Sequence, residues 1–242
     1  MLFDDREITS IASLLEALTE ITGPGTIRWY RGHGEGAWPL VPSIGRAPNR
    51  PEAEQALITR FKQDALSFLD RPPASEWEWL LLMRHHTLPT RLLDWTENPI
   101  VGLFFVVSEH PDRNGCLWSL DPVGLNSASH PTPDIPCFGI NEELENFLPK
   151  SVHTLPSRLT PVAALAMRSF PRLAAQSGVF TMTHKDQTPL EGLEGGKYVG
   201  RLIVPATAKP RLAKELALLG VTRLSLFPEL DNVAKRAQEV VR

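Results

Sequence analysis

The feature that most constrains the fold of this chain is a polar segment, residues 84–96, between two strongly apolar segments. Residues 76–83 before it predict a mostly buried helix, and residues 99–107 after it are equally apolar. Both ends of the polar segment are therefore anchored in the core. Because polar groups held in a core must be paired or functional, residues 84–96 are the first candidate for a site.

Prolines and a capping residue set the expected local structure of this segment. Leu88-Pro89 favours extended backbone and ends the preceding helix near His85-His86. Asn98-Pro99 predicts an N-cap followed by proline at the first helical position. The segment therefore predicts helix, extended polar turn and helix. The second helix would direct free backbone N–H groups towards residues 94–96, which predicts an anion site at that helix end.

Patterns along the rest of the chain favour the α+β class. Helical spacing or strand alternation predicts helices over 8–21, 57–69, 209–219 and 230–241, strands over 26–31, 115–120, 178–183 and 198–205, and a polar loop over 122–136. Without strict βαβ alternation, we expect mainly antiparallel strands with packed helices, and the last two strands as antiparallel neighbours. The expected organisation is an N-terminal helix over residues 1–25 and one compact unit over residues 26–242.

Composition and charge limit the classes of function. The chain has 242 residues, of which 42% are hydrophobic, so it can bury a full core. A formal net charge of -3 gives no global basic field to recruit nucleic acid. Cys116 and Cys137 are the two cysteines, and without a recognisable secretory signal they fit a reducing cytoplasm. The apolar run at 100–107 is too short to cross a membrane, so we expect a cytoplasmic protein without membrane contact.

Arg31 is the first candidate binding group. It lies in Tyr30-Arg31-Gly32-His33, at the end of a predicted strand, where a guanidinium suits a phosphate or carboxylate clamp. Gly32 would let a ligand approach the backbone. The structural alternative is an ion pair between Arg31 and Asp94, which is equally supported.

The polar segment supplies the remaining ligand-binding candidates. Asp94 could accept two hydroxyl protons and so orient a ribose, with help from Thr90, Arg91 and Thr96. The structural alternative, a buried pair between Arg91 and Asp94, is slightly favoured. His86 is a further candidate, although adjacent histidines on a helix point in different directions and a bond to backbone is the simpler role. The spacing matches no established zinc pattern, so no metal is expected.

These segments together resemble the FRG domain, a family named for a Phe/Tyr-Arg-Gly tripeptide. Residues 86–99 are similar to its H-x-G-x-P-T-R-L-L-D-W-T-x-N-P signature, and Tyr30-Arg31-Gly32 matches the tripeptide. We place Leu88 where the family usually has Gly, and Glu229 where it usually has Asp. The resemblance runs from about residue 27 to residue 231 and implies a bacterial or phage domain with a site, but it does not imply a reaction.

A second likeness supplies a mechanism. Tyr-Arg-Gly at the end of an early strand is similar to the first-strand element of arginine-type ADP-ribosyltransferases, in which that arginine contacts NAD. The likeness implies Arg31 and Glu229 as catalytic residues, Thr90 or Thr96 as the hydroxyl-bearing residue, and NAD as cofactor. The Glu-x-Glu element of that class occurs here only at positions that do not fit its order. The acceptor, whether nucleic acid or protein, stays open.

The competing hypotheses require no turnover. One is a module that binds a phosphate-bearing nucleotide-type ligand, and the other is a protein-interaction module, in either case within a bacterial defence or phage-response system. An exposed face carrying Trp77 and Trp79 would favour the interaction module, because aromatic side chains anchor protein interfaces. An acidic residue at the start of a helix, such as Glu229, commonly does no more than compensate the helix dipole.

Overall fold

The computed structural model describes residues 5–23, 25–128, 134–152, 154–155 and 158–241, and within them one seven-stranded sheet organises the chain. The strands are β1 (Arg6–Glu7), β2 (Trp29–His33), β3 (Leu92–Thr96), β4 (Gly115–Leu120), β5 (Val162–Ala164), β6 (Gly178–Met182) and β7 (Val199–Val204). The α-helices are α1 (Ile11–Ile21), α2 (Glu54–Ala65), α3 (Glu76–His85), α4 (Pro99–Ser108), α5 (Pro122–Ser127), α6 (Pro149–Val152), α7 (Pro171–Ala175), α8 (Lys209–Leu218), α9 (Arg223–Leu226) and α10 (Leu230–Gln238). Short 3-10 helices cover Ser43–Gly45, Pro51–Ala53, Leu66–Phe68, Glu142–Phe147, Leu190–Gly196, Ala206–Ala208 and Glu239–Val241.

The sheet confirms the α+β class. Its strand order is β1-β7-β4-β2-β3-β6-β5, and only the pairing of β1 with β7 is parallel. The prediction that the last two strands are neighbours is wrong, because β4, β2 and β3 lie between β7 and β6. The predicted loop at 122–136 is also partly wrong: Asp121 caps α5 by accepting from the backbone N–H of Gly124 (2.8 Å). Residues 129–133 of that loop lie outside the described residues.

The expected extended turn after α3 is instead a central strand. In β3 the residues Leu92, Leu93 and Trp95 are almost fully buried, because α-helices and loops cover both faces of the sheet. One face of the sheet packs on α1, α4 and α8 at one end and on α2 and α3 at the other, which gives two clusters of buried apolar side chains. A third such cluster covers the opposite face of the sheet. Both flanks of the polar segment are thus anchored in the core, as the apolar runs predict.

The two strands that carry the sequence motifs separate from each other. β2 and β3 share a single register pair, Tyr30 with Thr96. In contrast, β2 shares five register pairs with β4, and β3 shares five with β6. The sheet therefore opens between β2 and β3 beyond Tyr30, at the end of β2 that carries Arg31 and His33.

The helices bear on two sequence features, the pair of tryptophans on α3 and the apolar run on α4. Trp77 and Trp79 on α3 are 2% and 7% exposed, so they do not form the exposed aromatic face that an interaction module would require. None of the helices among the described residues is long and apolar enough to span a membrane.

Gly32 is required by packing against α4. A Cβ built on Gly32 would lie 2.1 Å from the carbonyl oxygen of Gly102 and 2.7 Å from the backbone nitrogen of Val106, both on α4. A Cβ on Gly102 would in turn lie 3.1 Å from Cβ of Tyr30. Helix α4 therefore rests directly on the backbone of β2, through a glycine on each side.

We expect the Gly32→Ala variant to lose about 1–3 kcal/mol or more of unfolding free energy, because backbone atoms of α4 must move to admit the methyl group. Gly36→Ala is the matched control, since its Cβ would meet nothing closer than 3.4 Å. Urea denaturation of both variants measures the difference. Equal stability of the two variants would contradict the direct contact between α4 and β2.

Candidate functional site

A cavity of about 540 Å³ lies where β2 and β3 separate. Its walls come from these two strands, from α3, α4, α7 and α9, and from the segment that follows β2. This volume is in the range typical of sites for small ligands, roughly 300–1,000 Å³. The sequence candidates that line it are Tyr30, Arg31, Gly32, His33, Asp94 and Thr96.

Arg31 spans the gap between the two strands. Its Nη1 donates to the backbone carbonyl oxygen of Asp94 (2.6 Å) and lies 3.6 Å from the carboxylate oxygen Oδ2 of the same residue. Its Nε donates to Nε2 of His33 (2.9 Å). Burial lowers the pKa of Arg31 to about 10, against the opposing effect of Asp94, so the guanidinium stays charged at neutral pH. The Nη2 group makes no hydrogen bond to any described residue and is available to a ligand.

The main partner of Asp94 is Arg84, which the sequence analysis did not predict. Nε of Arg84 lies 2.9 and 2.8 Å from the two carboxylate oxygens of Asp94, and Nη2 lies 2.5 Å from Oδ2. Burial alone would raise the pKa of Asp94, but Arg84 and Arg31 together outweigh burial and hold that pKa below its usual value. The expected pair between Arg91 and Asp94 is not formed, whereas the expected pair between Arg31 and Asp94 is present.

His33 is held as a neutral ring. Its Nε2 must accept from Arg31, so the proton lies on Nδ1, which faces the carbonyl oxygen of Trp38 (3.2 Å). Burial first, then the charges of Arg31 and Arg46, lower the pKa of His33 to about 3. Both ring nitrogens are therefore occupied, and His33 positions Arg31 and has no free nitrogen to serve as a general base.

Arg91 and Thr90 lie away from the cavity. Arg91 pairs with Glu54 on α2, through Nε (2.8 Å), Nη2 (2.5 Å) and the backbone N–H (2.8 Å), and the two side chains are 3% and 0% exposed. The hydroxyl of Thr90 is buried without a hydrogen bond among the described residues. Arg91 therefore contacts α2, and the side chain of Asp94 lies at the cavity.

Only one of the two adjacent histidines faces the site. His85 lines the cavity and stacks against Phe170, whereas His86 is exposed and outside the lining. The left-handed backbone falls on Thr87 (φ 62°), so the position where the FRG signature has Gly is Thr87 and not Leu88. This moves the histidine and glycine positions at the start of the motif by one residue, to His85 and Thr87, whereas the match from Pro89 to Pro99 is unchanged.

Glu229 lies near the cavity but not in its lining. Its Oε2 accepts from Nδ2 of Asn232 (3.2 Å), and its Oε1 is buried without a hydrogen bond among the described residues. Burial lowers the pKa of His85 and that of Arg172, and the charge of Glu229 opposes this effect at both residues. The carboxylate is therefore close to the α7 wall of the cavity.

The start of α4, where the sequence predicts an anion site, does not line the cavity. Asn98 caps this helix by accepting from the backbone N–H of Ile100 (2.9 Å), and none of residues 97–101 lines the cavity. The basic groups that do line the cavity are side chains. The arginines among the lining residues are Arg31, Arg46, Arg84, Arg172 and Arg223.

Sequence reasoning missed four of these five arginines. Both Arg84 and Arg46 carried a signal. Arg84 lies inside the polar segment, and Arg46 ends residues 40–46, which resemble a Leu-x-Pro-Ser-x-x-Arg motif of the FRG domain. Arg172 and Arg223 carried none, because only the fold brings α7 and α9 to the strands. No group of three or more His, Cys, Asp or Glu residues in the described part of the chain could hold a metal ion.

The family model of the FRG domain matches residues 27–115, and an FRG domain is therefore present in this chain. The match agrees with the resemblance carried by the tripeptide and by the polar segment. It includes Arg31, Arg46, Arg84 and Asp94, while the wall that contains Arg172 and Arg223 lies outside the matched residues. No curated protein and no solved structure matches the chain.

We expect Arg91→Met to lower the free energy of unfolding by about 3–5 kcal/mol, because it leaves the carboxylate of Glu54 buried without its cation. Arg60→Met is the matched control: its pair with Asp64 is exposed and contributes about 0.5 kcal/mol or less. Chemical denaturation measures both. A loss in Arg91→Met no larger than that of the control would contradict the structural role.

We expect the stability difference between wild type and Asp94→Asn to shrink as the pH falls. The folded-state pKa of Asp94 lies below the ordinary value of 3.8, so its carboxylate adds stability above about pH 4, and this contribution is lost as the pH falls through the folded pKa. Urea denaturation between about pH 3 and pH 7 measures the difference. A constant difference for Asp94→Asn over this range would count against the pairing with Arg84.

Proposed function

We propose that the cavity binds a phosphate-bearing, nucleotide-type ligand. The observation that carries this proposal is the excess of guanidinium groups, since five arginines line the cavity against the carboxylates of Asp94 and Glu109. Arg31 and Arg84 already engage Asp94. Guanidinium groups that have no carboxylate partner in a concave site suit the planar, bidentate recognition of phosphate. The lining arginines without a carboxylate partner among the described residues are Arg46, Arg172 and Arg223.

The rest of the lining supports a ligand that also has an aromatic part. Trp38, Phe105 and Phe170 line the cavity, and aromatic rings offer stacking surfaces for a base. Tyr30 also lines it, and its hydroxyl makes no hydrogen bond within the described residues. The phosphate of a nucleotide would bind the arginine side chains, and its base would stack on the aromatic rings.

A second candidate function is transfer of ADP-ribose from NAD. In this reaction the bond from nicotinamide to the ribose carbon breaks, nicotinamide leaves with the bonding electron pair, and a nucleophile of the acceptor attacks that carbon. The placement of Arg31 in the cavity and the buried, unpaired Oε1 of Glu229 beside the α7 wall favour this candidate. Glu229 would stabilise the positive charge of the transition state. The acceptor would be a nucleic acid or a protein.

The non-catalytic alternative uses the same cavity. An FRG domain that binds a nucleotide without turnover would serve as a sensor in a bacterial defence or phage-response system. The sensor and the transferase differ in the need for Glu229, because binding requires the arginines and only transfer requires the carboxylate.

We expect ATP or NAD to bind with a Kd below about 1 mM, and Arg46→Gln to weaken that binding by about ten-fold or more. Arg50→Gln is the matched control, since Arg50 is exposed four residues further on and does not line the cavity. Isothermal titration calorimetry measures both, with adenosine as the uncharged comparison ligand. Absence of heat with every nucleotide would overturn the proposed function.

If NAD binds, we expect slow release of nicotinamide, lost in Glu229→Gln with NAD affinity unchanged. Asp231→Asn is the control for a changed carboxylate near the same helix end. Chromatography of nicotinamide, with and without added nucleic acid or protein acceptors, measures turnover. Binding of NAD without nicotinamide release would leave the sensor as the function of this site.

A further inference from the structure

The cavity arginines that have no carboxylate partner among the described residues occupy two positions. Arg46 belongs to a segment that packs at the first end of β3. The backbone N–H of Ile44 donates to the carbonyl oxygen of Thr90 (3.2 Å), two residues before β3 begins, and Nε of Arg46 donates to the carbonyl oxygen of Val41 (2.8 Å). The two Nη groups of Arg46 make no hydrogen bond to any described residue.

The second position is formed by α7 and α9, and α7 packs at the other end of β3. Leu173, next to Arg172, packs against Gly178, where a Cβ would lie 2.2 Å from Cδ1 of that leucine. Gly178 pairs with Thr96, the last residue of β3.

Arg172 and Arg223 share one aromatic ring at this end. Their guanidinium carbons lie 4.4 and 5.2 Å from the centre of Phe227. Nη1 of Arg172 also donates to the carbonyl oxygen of His85 (3.4 Å), and Nε of Arg223 donates to Oδ1 of Asn232 (3.1 Å). The ring contact supports each guanidinium, and its other N–H groups remain for a ligand. The pair therefore forms a basic position in which two side chains are held by one support.

Asp94 lies between the two positions. It is the central residue of β3, which spans about 13 Å from end to end at a rise of roughly 3.3 Å per residue. Burial lowers the pKa of Arg46 and that of Arg172, and the charges of Arg84 and Asp94 act on both values. The pair of Arg84 and Asp94 is thus close to both cationic positions.

We propose that the ligand carries two separate anionic groups, one bound by Arg46 with Arg31 and the other by Arg172 with Arg223, with a hydroxyl-bearing part over Asp94. The chemical class that fits is a nucleoside with phosphates on two different sugar carbons, a nucleoside 3′,5′-bisphosphate. A contiguous diphosphate places both phosphates together and leaves one basic position unused. This inference rests on the proposed function, since it names the class of ligand for the same cavity.

The test compares two isomers. Adenosine 3′,5′-bisphosphate and ADP have the same atoms and differ in whether the phosphates are separate or joined. We expect the bisphosphate to bind at least about ten-fold more tightly than ADP, 5′-AMP or 3′-AMP in titration calorimetry, because each additional set of charge-assisted hydrogen bonds is worth about that factor.

Two variants test which arginines bind the two phosphates of the ligand. Arg46→Gln and Arg172→Gln should each remove the advantage of the bisphosphate and bring its affinity to within about three-fold of a monophosphate. Arg50→Gln and Arg168→Gln are the matched controls, since both arginines are exposed and do not line the cavity. Melting temperatures of all four variants show whether a lost affinity reflects lost folding.

The possible outcomes separate this inference from the proposed function. ADP binding as tightly as the bisphosphate, or monophosphates binding as tightly as either, would overturn the inference and leave nucleotide binding intact. If no nucleotide binds, both fail. A bisphosphate advantage that survives Arg172→Gln would also overturn it, because the second group would then lie elsewhere.

Discussion

The site depends on the guanidinium of Arg31, which connects β2 and β3 where these strands are no longer paired with each other. β2 and β3 meet only at Tyr30 and Thr96, and beyond this pair Arg31 connects the strands by donating to the backbone of Asp94. An arginine is suited to this position because its planar group carries several donors at fixed directions. The neutral ring of His33 accepts a hydrogen bond from Nε of the same guanidinium and so fixes its position. The cavity and its first binding group are thus consequences of a single local departure from regular sheet structure.

The charges of the polar segment are divided between structure and site. Arg91 turns to Glu54 and fixes α2 against the start of β3, in a pair that is almost completely buried. Asp94 turns to the other side, where Arg84 and Arg31 hold it as a carboxylate at neutral pH. Because Asp94 is already compensated, the remaining cavity arginines keep a charge that a ligand must balance. The buried pair fixes the backbone that the site requires and takes no part in binding itself.

Sequence reasoning could predict what depends on local pattern. It identified the α+β class, the anchored polar segment, and the candidates Arg31, Asp94 and Thr96, because apolar periodicity and polar residues within core runs are visible along the chain. It could not predict that residues 92–96 form a central strand, since a short half-polar strand resembles a turn. It paired Arg91 with Asp94 because they are close in sequence, whereas α2 supplies a better partner through tertiary contact. Arg172 and Arg223 lie about 80 and 130 residues from Asp94, and only the fold brings them together.

The separation of β2 from β3 places a strand edge inside the sheet. Unpaired strand edges normally lie at the margins of a sheet, where they can add a foreign strand and cause aggregation. Here helices α3, α4 and α7 line the space beside the edge, and its volume of about 540 Å³ is that of a site for a small molecule. A ligand in the cavity can thus lie against the main chain of the sheet, and main-chain contacts do not depend on which side chains surround them. Recognition at such an edge can tolerate substitutions that would abolish a site built from side chains alone.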